Sequence, residues 1–274
     1  DDWPMQRHDR RRSGITDESL RFPLRRAWVF ECAQPPMPAW PPPVKNLNRM
    51  DFDYAAAPVA ADGIVCFGSS ADDTVRALDA ETGRLRWRFT TDGPIRFAPQ
   101  IAGGRLYVVS DDGFLYCLDA RTGRPVWTFR GAPRDERLVG NGRVISYWPI
   151  RTGVLVLDGV VYFAAGMWPS EGIFLYALDA DTGEVIWCND TAGARLTIVG
   201  HVVSTISGLN PQGALLATDD MLVLPMGRSS PATCDRRTGE LLEYAPGLNN
   251  GTGGSWATLD GDHCYLYTKS FYTP

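Results

Sequence analysis

The chain has 274 residues, of which 44% are hydrophobic and 22% charged, and its net charge is −5. That balance allows a packed core and excludes wholesale disorder, while the acidic surplus argues against a general nucleic-acid binder. No apolar run approaches the roughly 18 residues of a membrane-spanning helix.

With 28 Gly, 20 Pro, 9 Trp and 10 Tyr, the composition favours an all-β protein of many short strands. Residues 1–26 read as a lead-in arm. Its basic cluster (Arg7, His8, Arg10, Arg11, Arg12) is interspersed with Asp1, Asp2, Asp9, Asp17 and Glu18, which predicts a solvated segment. The start at Asp1 suits a processed end. Residues 27–31, with Trp28-Val29-Phe30, read as a lone outer strand at the head of a propeller over 27–274.

Internal repetition then sets the architecture. Leu-Asp-Ala-x-Thr-Gly-x-x-x-Trp occurs from Leu78 to Trp87, from Leu118 to Trp127 and from Leu178 to Trp187. A degenerate copy follows at Asp235-Arg236-Arg237-Thr238-Gly239, with Glu243 in place of the tryptophan. The four aspartates are spaced by 40, 60 and 56 residues. A period near 40 is the size of one four-stranded propeller blade. In each copy a segment of the type Leu175-Tyr176-Ala177-Leu178 alternates and reads as a half-buried strand, the Asp…Gly segment as a hairpin loop, and the Trp segment as the return strand. Upstream pairs such as Asp62-Gly63 and Asp158-Gly159 mark another hairpin in each blade. Strands A to D of antiparallel blades are expected over about 55–90, 95–130, 152–188 and 212–244, with a fifth blade beginning over 253–274.

These segments resemble the pyrroloquinoline-quinone-type (PQQ-like) propeller repeat. The resemblance implies that Trp87, Trp127 and Trp187 dock between neighbouring blades, with Asp79, Asp119, Asp179, Gly83, Gly123 and Gly183 shaping the loops they meet. The lead-in around Trp3, Arg7, Arg12-Ser13-Gly14 and Ala27-Trp28 is similar too. Such rings usually have seven or eight blades, so an incomplete ring is expected here, completed by further blades of the same polypeptide or by a partner chain.

In an up-and-down propeller the A–B and C–D loops share one face, and the B–C and D–A loops share the other. The three long D–A connections, 32–54, 131–151 and 189–210, all fall on the second face, which makes it the expected binding surface. Candidate ligand-binding residues there are Trp148, Arg151, Trp168, His201, Asn210, Arg228 and Trp256. Each also has a packing role open to it, His201 above all, because Val199, Val202 and Val203 surround it.

The resemblance offers two functions. Many PQQ-like propellers are non-enzymatic scaffolds, as in bacterial outer-membrane assembly lipoproteins; this implies a periplasmic or extracellular protein with protein partners, no nucleic acid and no cofactor. The alternative is a quinoprotein alcohol or sugar dehydrogenase using PQQ with calcium. Gly253-Gly254-Ser255-Trp256 resembles the segment that supplies the quinone floor, but Ala257 stands where that family has Asp. The adjacent cysteine pair is absent, because Cys32, Cys66, Cys117, Cys188, Cys234 and Cys264 are all far apart. No catalytic residue and no metal ligand is assigned. The cysteines read as buried free thiols.

Overall fold

The computed structural model describes residues 2–40, 50–199, 203–227, 229–245, 253–261 and 263–266. The first blade is β1 (Val59–Ala61), β2 (Ile64–Gly68), β3 (Thr74–Asp79) and β4 (Leu85–Thr90). The second is β5 (Gln100–Ala102), β6 (Arg105–Val109), β7 (Phe114–Asp119) and β8 (Pro125–Arg130). A hairpin of β9 (Arg137–Gly140) and β10 (Arg143–Ser146) follows, then the short β11 (Thr152–Gly153). The third blade is β12 (Leu155–Leu157), β13 (Val160–Ala165), β14 (Phe174–Asp179) and β15 (Val185–Asn189). After it come a second hairpin, β16 (Leu196–Val199) and β17 (Val203–Ile206), and the short β18 (Gly213–Ala214). The fourth blade is β19 (Leu216–Ala217), β20 (Met221–Met226), β21 (Ser229–Asp235) and β22 (Leu241–Glu243), and β23 (Ala257–Asp260) with β24 (His263–Leu266) opens a fifth.

Each blade is an antiparallel meander in sequence order, and the chain is a β-propeller. The A–B turns of the first three blades close tightly because both central residues take positive φ, as at Asp62 (50°) with Gly63 (72°) and Asp158 (52°) with Gly159 (75°). The C–D loops are closed by their aspartates. Asp119 Oδ1 accepts from Thr122 N at 2.8 Å and from Thr122 Oγ1 at 2.7 Å, and Asp79, Asp179 and Asp235 repeat the arrangement. Those bonds hold all four carboxyls below the usual carboxylate range, joined at Asp79 by the Arg86 guanidinium as the largest influence.

A register shift in the C–D ladder, between Ala77 and Leu78 in the first blade and at the same place in the next two, leaves one extra residue before each tryptophan. Such a bulge re-aims the side chain that follows it. Trp87 Nε1 donates to Ala120 O at 3.0 Å, Trp127 to Ala180 O at 3.1 Å and Trp187 to Arg236 O at 3.2 Å, each onto the C–D loop of the next blade. The indole lies flat over the loop glycine. A Cβ on Gly123 (φ 71°) would come within 2.5 Å of Trp87. Glu243 occupies the tryptophan's ladder position in the fourth blade, opposite Thr233.

The core consists of layers between blades. Val59, Cys66, Val75 and Ala77 meet Ile101, Leu106, Val108 and Leu118 between the first and second. Leu115, Cys117, Val161, Phe163 and Leu178 pack between the second and third, and Tyr162, Leu175, Ala177, Leu222 and Leu224 between the third and fourth. The repeat strands β3, β7 and β14 are therefore covered on both faces, where their alternation had predicted one wet side. The outer strands β4, β8 and β15 do alternate between exposed and half-buried positions.

Three further expectations are corrected. Residues 27–31 join no ladder, since a D strand needs a C strand beside it and no described strand lies there. Even so, Trp28 Nε1 donates to Ala80 O at 2.9 Å and covers Gly83, as the repeat tryptophans do one blade on. The basic arm is not solvated throughout. It crosses the inner strands: Trp3 pairs with Ala60, Ile101 N donates to Pro4 O, Ala217 N to Arg10 O and Leu259 N to Arg11 O. Arg12 is buried against Leu215 O, and burial lowers its pKa to about 10. Finally, all six thiols are free, but only Cys66, Cys117 and Cys234 are buried, whereas Cys32, Cys188 and Cys264 are exposed. No helix among the described residues is long and apolar enough to cross a membrane.

Candidate functional site

Two of the long D–A connections contain hairpins, β9–β10 and β16–β17. In β9–β10, Leu138 opposes Ile145 on the inner side and Val139 opposes Val144 on the outer side. Arg143 clamps this hairpin back over the first blade. Its Nη1 donates to Ser70 O at 3.0 Å and Ala71 O at 3.1 Å, and its Nη2 meets Asp73 Oδ2 at 2.5 Å. Asn141 Nδ2 donates to Ala39 O, so the clamp also holds the segment before the first blade.

Beneath these loops lies a buried charge cluster. Arg96, Arg151 and Gln212 each stand four residues before their blade's A strand, and each is buried. Asp111, at the β6–β7 turn, is fully buried and takes both cations. Arg96 Nε donates to its Oδ2 at 2.5 Å, while Arg151 Nε and Nη2 reach Oδ1 and Oδ2 at 2.7 and 2.9 Å. Arg96 Nη1 donates further to Asp53 Oδ2 at 2.5 Å and to Met37 O at 2.8 Å. Asp53 Oδ2 also accepts from Ala39 N at 2.8 Å. Burial pushes the Asp53 carboxyl up and the Arg151 guanidinium down from their ordinary values. Burial also works against the charge of Arg96, but Asp111 and Asp53 together hold it above its usual value. Three buried atoms of this region have no hydrogen-bond partner: Asp53 Oδ1, Arg151 Nη1 and Gln212 Oε1.

The candidate residues do not converge on one site. Arg151 is the anchor of this cluster rather than a surface group. Trp148 is buried: its Nε1 donates to Glu171 O at 2.7 Å, and Arg134 lies over its ring at 5.2 Å. Trp168 stands half exposed before the short 3-10 turn Pro169–Glu171. Asn210 Oδ1 accepts from Gln212 Nε2 at 3.2 Å, and Trp256 Nε1 donates to Asp51 O at 3.3 Å in the half-buried approach to β23. His201 and Arg228 lie outside the described residues. Asp53, Arg96 and Asp111 are absent from the sequence-based candidates. The available signal was the repeated Pro-Ile-Arg, at Pro94-Ile95-Arg96 and Pro149-Ile150-Arg151.

Trp256 packs against the inner cluster around Phe52 and Phe97. Among the described residues no group of three His, Cys, Asp or Glu is placed to hold a metal, and the six cysteines supply no adjacent pair. The residues described do not assemble the site that the resemblance implies, so no step is derived through such a group.

The family model described as "Outer membrane protein assembly factor BamB" matches residues 28–197, and the chain belongs to this PQQ-like propeller family. It is 30% identical over 145 residues to the "Alcohol dehydrogenase (quinone), dehydrogenase subunit" of Acetobacter aceti, covering 48% of this chain and 19% of that protein. It is 27% identical over 147 residues to the "Outer membrane protein assembly factor BamB" of Yersinia pestis, covering 52% and 35%. The quinohemoprotein alcohol dehydrogenase of Comamonas testosteroni shares the fold with a TM-score of 0.62 at 18% identity, over 92% of this chain and 42% of that one. The matches thus span about a fifth to two fifths of each relative's length.

Proposed function

We propose that the chain is part of an extracytoplasmic binding or assembly scaffold that engages a protein partner through the long-loop face. The observation behind this reading is the valine pair of the β9–β10 hairpin. Val139 and Val144 are direct cross-strand partners, 78% and 55% exposed, on a hairpin whose other side is anchored by buried Ile145 and clamped by Arg143. A β-branched pair held outward on a fixed hairpin offers about 1.5–3 kcal/mol per side chain on full burial. Half-exposed Trp168 stands on the same face. The family description and the Yersinia pestis relative agree with a role in assembly outside the cytoplasm.

The test places a photo-crosslinking residue at Val144 of the full-length protein in its native host. A discrete heterologous protein adduct is expected, lost when Val139 and Val144 are changed together to Lys. Adducts confined to the chain itself would overturn the reading. A second reading, a quinone-dependent dehydrogenase, is favoured by the half-buried Trp256 after Gly253-Gly254 and by the dehydrogenase relatives. Saturable binding of PQQ with calcium and dye-linked alcohol oxidation by the full-length protein would establish it in place of the first.

A further inference from the structure

A cavity of about 270 Å³ opens on the long-loop face over the first blade. Phe67, Ile95 and Phe97 form apolar walls, Tyr54 stands 40% exposed among the lining residues, and Asp53 and Arg96 line it as charged groups. Asp53 is only 3% exposed. Its Oδ2 is answered by Arg96 and Ala39 N, but its Oδ1 is buried with no hydrogen-bond partner. An unanswered buried acceptor costs about 1–3 kcal/mol, and more when it is charged.

None of the bonds that Arg96 makes reaches this oxygen: its Nε donates to Asp111 and its Nη1 to Asp53 Oδ2 and Met37 O. Arg151 is bound to Asp111 and does not line the cavity. Asp53 and Arg96 are therefore the charged pair that lines the cavity, with Asp111 and Arg151 paired behind them. Burial raises the Asp53 carboxyl, and Arg96, Ala39 N and Arg151 offset it only in part. A group that completes the site must donate a hydrogen to a carboxylate oxygen, and a cationic donor does so most strongly. Aromatic walls favour a cation as well. At roughly 30 Å³ per water-sized unit, the cavity has room for a ligand of fewer than about ten heavy atoms.

We propose that this cavity binds a small primary ammonium compound, its N–H donating to Asp53 Oδ1 and its carbon chain lying against Phe67, Ile95 and Phe97. This site is separate from the valine pair and stands or falls independently of the partner-docking reading. The experiment is an NMR chemical-shift titration of the protein with n-butylammonium, butan-1-ol and butyrate, three probes of one size and different charge. Saturable shifts around the cavity are expected with n-butylammonium. Binding should be at least tenfold weaker for butan-1-ol and undetectable for butyrate. Asp53→Asn keeps the shape and should weaken n-butylammonium at least tenfold without changing butan-1-ol. Tyr54→Ala leaves the buried cluster intact, and there n-butylammonium should weaken about threefold and butan-1-ol should not; this readout decides the matter if Asp53→Asn does not fold. The proposal is overturned if n-butylammonium gives no saturable shift, if the three probes bind alike, or if the ammonium preference survives in both variants.

Discussion

Asp111 holds two guanidiniums at once with no access to water, so removing one of its partners costs far more than breaking a surface pair would. Arg151→Met is expected to destabilise the protein by about 3–5 kcal/mol, because it leaves buried Asp111 short of a cation. Urea unfolding should show a lower midpoint with an unchanged slope. Thiol chemistry separates the cysteines in the same way. Burial pushes Cys66 and Cys234 up to about 12 and Cys117 up to about 11, whereas Cys32, Cys188 and Cys264 are exposed. A thiol reagent near neutral pH should label three of the six in the native protein and all six after unfolding. At this scale the sequence showed the Asp-x-x-Thr-Gly and tryptophan repeat, but the Pro-Ile-Arg repeat went unread, and nothing local says that Arg151 would find Asp111. That contact joins residues 40 apart in the chain, and only the docking of successive blades creates it.

Turns and hairpins were the more legible level, because their chemistry is local. Asp-Gly and Gly-Gly marked the A–B turns, and Asp-x-x-Thr-Gly marked the C–D loops. Two glycines separate backbone conformation from packing. Gly103 (φ 55°) has nothing within 4 Å of an added Cβ, so Gly103→Ala should cost only the left-handed backbone term, about 1–2 kcal/mol. Gly123→Ala meets Trp87 as well and should cost about 1–3 kcal/mol more, read as the difference between the two unfolding curves. The β9–β10 hairpin carried its own signal, Asn141-Gly142 with φ of 54° and 73° between the apolar pairs Leu138-Val139 and Val144-Ile145, yet the length of the insertion made it read as loop. Its attachment is tertiary. Arg143→Ala should speed amide exchange in Arg137–Ser146 while exchange in β6 and β7 stays slow, since only the clamp is removed.

For the molecule as a whole, the carboxylates divide into two groups with opposite effects on stability. Asp119, Asp179 and Asp235 titrate below the unfolded value of about 3.9 because loop hydrogen bonds favour their charged form. The unfolded chain then binds more protons, and stability falls as the pH drops through and below that value. Asp112 is the reverse case, raised by burial, so its contribution falls as the pH climbs from about 3.9 toward its native value. Urea midpoints measured against pH should decline on acidification below about pH 4, and Asp112→Asn should steepen the rise just above it.

The sequence by itself determined the blades, their order and their loop chemistry, because each rests on a periodic pattern and on turns completed within a few residues. Tertiary structure alone decided the rest. Packing between neighbouring blades covered both faces of strands that alternate in sequence, and it drew the basic arm across the inner strands. It also brought Asp53, Arg96, Asp111 and Arg151 into one dry cluster, because charges from separate blades leave water only when the blades close over them.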